Sequence, residues 1–122
     1  MHDDEVTKSQ PHIIVEIIEY IPNSVVTKTI LKKATGVISV MSFDTGEGLS
    51  EKIIPYDSFV QVIDGQAEIY INHIARHVNT GESIVIPAHA PSSVSPNGRF
   101  KMIVTTIKSI LEQANDAVIS PT

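Results

Sequence analysis

Cysteine is absent from the chain, which excludes a disulfide framework, a thiolate metal site and a thiol nucleophile. Long apolar runs are absent too. None approaches the roughly 18–20 residues that span a bilayer, so no membrane partner is expected. Basic residues are in the minority, 9 Lys and Arg against 14 Asp and Glu, for a formal net charge of −5. They form no cluster that would offset the repulsion of a phosphate backbone, so no nucleic-acid partner is expected either. Met1-His2-Asp3-Asp4-Glu5 is polar and acidic, opposite in character to the basic start and apolar centre of a secretory signal. These exclusions together predict a cytoplasmic protein. Internal repeats and low-complexity tracts are also missing.

What is present is a β pattern. Hydrophobic residues make up 42% of the 122, an ordinary globular fraction, and much of it is Ile and Val, which fit a pleated sheet. A chain of this length forms one domain and buries roughly two-thirds of its unfolded surface. Strands are predicted at Ser24–Lys32, Val37–Phe43, Leu49–Ile54, Ser58–Ile63, Gln66–Ile71, Ile74–Val78, Ser83–Ile86, Ser92–Ser95 and Phe100–Ile107. Turn residues separate them: Asp44-Thr45-Gly46, Asn79-Thr80-Gly81 and Pro96-Asn97-Gly98 among others. Asp64-Gly65 reads as a two-residue hairpin, since a type I′ turn needs positive φ, and Asn72-His73 reads as the next tight turn. Turns at this spacing with no helix between them predict an all-β sandwich or barrel.

The two ends depart from that pattern. Residues 1–11 read as a flexible tail, 12–108 as the single barrel domain, and 109–122 as a helical extension. From His12 to Ile21 the apolar residues are nearly continuous, which predicts a short strand running into a helical turn ended by Pro22-Asn23. Ser109 to Glu112 matches a capping box, and Ile110, Leu111, Ala114 and Val118 share one helical face, so a short helix is predicted over 110–118.

From Gly46 to Val94 the chain resembles the conserved barrel motifs of the cupin family, and the likeness extends over about residues 24–107. The first cupin motif ends on a glycine, and Gly65 fits it. The second begins with a glycine followed six residues later by proline, the spacing of Gly81 and Pro87. The resemblance implies a double-stranded β-helix, or jelly roll, of two antiparallel sheets. In cupins these motifs also supply a metal-binding set of histidines and a glutamate. Here the two histidine positions of the first motif fall on Lys52 and Ile54, the glutamate on Ser58, and the histidine of the second motif on Ser92. Imidazole and carboxylate donate lone pairs readily. An ammonium repels a cation, an isoleucine offers nothing, and hydroxyls bind weakly. The expectation is therefore a barrel with no metal and no cofactor.

Strand alternation places Lys52, Ile54, Ser58 and Val60 on one face. With Ser92 they would line the barrel interior, and Met41, Phe43, Met102 and Val104 fall either on the same cavity or on the opposite sheet face. Lys52 either points inward, where it could hold an anion or carry out amine chemistry, or lays its stem along apolar surface with its ammonium at the rim. His89, near the barrel mouth, completes the candidate ligand-binding set of Lys52, Ile54, Ser58, Ser92, Phe43, Met102 and His89. His73 and His77 would chelate an ion only on a helix; on a strand they lie about 13 Å apart, at ~3.3 Å per residue, and read as surface groups. Ser92 and Ser93 lack a histidine and an acid at a recognisable spacing for a nucleophilic triad.

The function expected from these residues is non-catalytic binding of a small molecule in the barrel, an anionic one if Lys52 points inward, with no catalytic residue assigned. The alternative is a cupin enzyme, an oxygenase or isomerase with non-standard site residues. A homodimer is expected, because the Ile-rich N-terminal segment and the C-terminal helix supply apolar surface better buried between subunits.

Overall fold

The computed structural model describes residues 5–108. Strands β1 (Val25–Lys33), β2 (Gly36–Phe43), β3 (Leu49–Lys52), β4 (Asp57–Ile71), β5 (Ile74–Asn79), β6 (Ser83–Ile86), β7 (Ser92–Val94) and β8 (Phe100–Ile107) follow a 3-10 turn at Ile14–Glu16, the only helical turn among the described residues. Every pairing is antiparallel, in the order β1-β2-β8-β4-β7-β3, with β5 and β6 also paired to β4. The result is an all-β, curled antiparallel sheet forming a half-barrel. No helix among the described residues is long and apolar enough to cross a membrane.

The 15-residue β4 makes the curl. Its first half, from Asp57 to Gly65, pairs with β8 and β6, and its second half, from Gln66 to Ile71, pairs with β5 and β7. The expected hairpin at Asp64-Gly65 is therefore not a hairpin. The register with β8 steps from Val62↔Met102 to Asp64↔Lys101, leaving Ile63 as the extra residue of a β-bulge. Gly65 is needed there for two reasons. Its φ is +80, and a Cβ would collide with the carbonyl oxygen of Arg99 and press on Phe100. The tight hairpin comes one turn later, at Asn72-His73, where φ values of 53 and 67 match a type I′ turn and β5 folds back along β4.

Alternation along the strands sorts inner from outer residues. Phe43 and Phe100 are cross-strand partners on β2 and β8, both fully buried, and their rings stack with centroids 4.3 Å apart. Val60, Val62, Ala67, Ile69, Val78, Val94 and Met102 complete this inner core. Ser42 and Lys101, one residue away from the two phenylalanines, face outward and are nonetheless buried.

What buries them is the N-terminal segment. It contains no strand between His12 and Ile21, contrary to expectation, only the 3-10 turn. The segment lies across the outer face as a strap. Lys101 Nζ donates to the Val15 carbonyl at 2.6 Å, Ser42 Oγ donates to the Glu19 carbonyl at 2.9 Å, and Ile18 is buried beneath it. Strap carbonyls thus satisfy two polar groups that would otherwise be desolvated without partners. Further back, Glu5 accepts the Lys32 backbone N–H at 2.8 Å on the edge strand β1, and this bond holds its carboxyl below the ordinary range. The helix predicted over 110–118 lies outside the described residues.

Candidate functional site

Side chains shrink along the inner face. On β8 the inward series runs Phe100, Met102, Val104, Thr106; on β4, from the bulge outward, it runs Val62, Val60, Ser58; on β2 it runs Phe43, Met41, Ser39. Where the large rings sit, the interior is filled. Toward the small residues it opens into a cavity of about 120 Å³.

Lys52, Ile54, Ser58, Ser92 and Met102 all line this cavity, as do Met41, Val60 and Val104. Phe43 does not reach it; its ring is spent on the stack with Phe100. His89 is also outside the lining. It is an exposed residue with φ +69, held by its backbone N–H donating to the Ile54 carbonyl at 2.7 Å. Thr106 and Ser93, which also line the cavity, are absent from the candidate set read from the sequence. Continuing the alternation of β8 past Val104 would have found Thr106.

The polar atoms of the cavity are few. Ser58 and Thr106 hydroxyls hydrogen-bond each other at 3.2 Å. Ser92 is 5% exposed, and its hydroxyl makes no side-chain hydrogen bond among the described residues. Lys52 is the cross-strand partner of Ser92, so the two side chains leave the sheet side by side. Lys52 is exposed and also lines the cavity, the position expected of a side chain that lays its stem along apolar surface and turns its ammonium toward solvent.

These donors do not fit a divalent metal. No imidazole or carboxylate lines the cavity, and no three His, Cys, Asp or Glu side chains converge anywhere among the described residues. His73 and His77 are exposed and separately paired, with Glu51 at 3.4 Å and Glu68 at 3.2 Å.

A second polar cluster clasps the strap to the filled end. Tyr20 donates its hydroxyl to Asp64 Oδ2 at 2.7 Å, and its ring centroid lies 5.1 Å from the Arg99 guanidinium and 4.9 Å from Lys101 Nζ. Burial, with the Asp64 hydrogen bond and charge, pushes the Tyr20 phenol well above its usual value. Asp44 accepts the Asn23 backbone N–H at 2.7 Å and Arg99 Nε at 2.8 Å, and these bonds hold its carboxyl below the usual range.

An all-β half-barrel with this strand order and an interior cavity defines a class, and comparison with solved structures identifies it. A cupin 2 conserved barrel domain protein from Leptotrichia buccalis matches with a TM-score of 0.74 and 35% identity over 77% of this chain. A conserved protein of unknown function from Streptococcus pyogenes matches at TM-score 0.80 with 23% identity, over 85% of this chain and 91% of its own. A cupin superfamily protein from Desulfitobacterium hafniense matches at 0.79 with 24% identity, over 88% and 97%. The last two are similar in fold alone. The chain has the conserved-barrel fold of the cupin superfamily. It spans 46% of the Leptotrichia protein's length. No protein-family model matches the sequence, and no curated protein matches it.

Proposed function

We propose that this protein binds a small organic molecule in the half-barrel cavity, without a metal and without catalysis, acting as a cytoplasmic homodimer whose strands close as a double-stranded β-helix. The cavity carries the proposal: a hollow of about 120 Å³ on a cupin scaffold, walled mainly by aliphatic side chains and Met, with hydroxyls and one ammonium as its polar groups. Concave, mostly apolar space with a few placed polar groups is what small-ligand sites look like. An acid–base isomerase would need a second titratable partner in the cavity. Of the lining residues, Lys52 alone is titratable. Self-association is favoured by the outer face, where the neighbouring Phe59 and Val85 are 41% and 55% exposed.

The test compares wild type with Val104→Phe, which fills the cavity, in a thermal-shift screen of small organic molecules. Compounds that stabilise wild type and leave the filled variant unmoved support the reading; equal shifts in both would place binding elsewhere and overturn it. Elemental analysis after challenge with Mn, Fe, Ni and Zn should find no stoichiometric metal, and finding it would favour the enzyme alternative. Sedimentation showing a monomer at micromolar concentration would remove the dimer.

A further inference from the structure

The polar groups of the cavity divide into those already satisfied and those left free. Ser58 and Thr106 hold each other at 3.2 Å. Ser92, 5% exposed as a residue, has no side-chain hydrogen-bond partner among the described residues. Beside it, across the β3–β7 pair, stands Lys52, whose ammonium carries three donors and no lone pair. No carboxylate lines the cavity to neutralise that charge. The free polar chemistry is therefore cationic, donor-rich and gathered along the β3–β7 pair. The facing sheet supplies an aliphatic wall, built from Met41, Met102, Val60 and Val104.

A ligand matching both ends has an anionic head that only accepts hydrogen bonds and a short aliphatic tail. Two adjacent donor groups suit the two oxygens of a planar carboxylate better than a tetrahedral anion, which would leave oxygens without donors. Size sets the tail. An apolar cavity of roughly 150 Å³ accommodates the six carbons of benzene, so a hollow of about 120 Å³ takes about five non-hydrogen atoms, with the oxygens of the head outside it. We infer that the site takes a short-chain aliphatic monocarboxylate, its head on Lys52 Nζ and Ser92 Oγ and its tail against Met41 and Met102. This specifies the ligand class of the binding site proposed above and rests on that reading.

The probes are 3-methylbutanoate, its amide and its alcohol, of nearly equal size and shape. Titrations at pH 7 follow the methyl resonances of Met41 and Met102. The acid should bind at least about tenfold more tightly than the amide, the increment of one charge-assisted contact. In Lys52→Met that preference should collapse to within twofold while the amide's affinity stays the same. Ser92→Ala should weaken the acid by about threefold to tenfold, as loss of one hydrogen bond does. Equal binding of acid, amide and alcohol by wild type overturns the carboxylate inference and leaves the small-molecule reading standing. Tight acid binding that ignores both substitutions overturns the assignment of the head to Lys52 and Ser92. If no probe moves the methionine methyls, and cyclopentane does not either, the cavity is closed to ligands and the binding reading fails with the inference.

Discussion

The two ends of the half-barrel interior are built from the same strands and solve different problems. Near the bulge, β2, β4 and β8 contribute Phe43, Val62 and Phe100, all fully buried, and the interior is filled. A few residues along, the same strands contribute Met41, Ser58 and Thr106, and a hollow is left. The filled end is also braced from outside by the strap, through Lys101, Ser42 and the Tyr20–Asp64 and Arg99–Asp44 contacts. Among the described residues no hydrogen bond from the strap reaches a residue that lines the cavity. Close packing and outside bracing are thus concentrated at one end and the hollow lies at the other, with no change of strand along β2, β4 and β8 between them.

The largest test of that contrast is truncation at each end. Phe100→Ala removes a fully buried ring and its stacking on Phe43, and should cost about 3–5 kcal/mol in urea unfolding. Met102→Ala, two residues along and already beside empty space, should fall near the low end of the range for such truncations, about 2 kcal/mol. Equal losses would mean that the two ends are packed alike.

Overpacking gives a smaller effect of the same sense. Ala67→Leu, in the filled core, should cost about 1–3 kcal/mol, whereas Val104→Phe, which grows into the cavity, should stay within about 1 kcal/mol of wild type. A Val104→Phe protein as unstable as Ala67→Leu would show that the hollow is not available space.

The smallest effect is the dependence of the brace on pH. Tyr20 has a raised pKa, so the folded chain keeps a proton that the unfolded chain releases near its ordinary 10.0. That contribution is complete below the unfolded value and is lost as pH rises from there toward the folded one. Asp44 has a lowered pKa, so its contribution is complete above the ordinary 3.8 and is lost as pH falls through the folded value. Urea midpoints should therefore decline at both extremes, and Tyr20→Phe should flatten the alkaline side alone. An unchanged alkaline slope in that variant would remove Tyr20 from the brace.

Strand positions were legible because their turns are written in Gly, Pro and Asn. Ser83–Ile86 and Phe100–Ile107 coincide with β6 and β8, and Asn72-His73 forms the turn expected of it. The misreading of Asp64-Gly65 has a specific cause. A type I′ hairpin and a glycine bulge both require positive φ, and local residues do not say whether the chain turns back or continues. The strap was misread because an apolar run without period-2 alternation carries no sign of which surface it will lie on. His89 marks the mouth through its backbone, whose positive φ is what a small residue would adopt more easily.

Alternation within β4 put Ser58 and Val60 on one face, since successive side chains on a strand point to opposite sides whatever the fold. Lys52 ends β3 and Ile54 lies in the break before β4, so parity does not carry across, and all four line one cavity because the sheet curls on itself. Depth along the strand carries no such signature. Met102 reaches the hollow and Phe43 does not because β2 pairs with β8 in a register that sets Phe43 on Phe100. Residue types and spacing determined most of the strands and the inward face of each. Only the pairing of distant strands decided which inward residues fill space and which leave it empty.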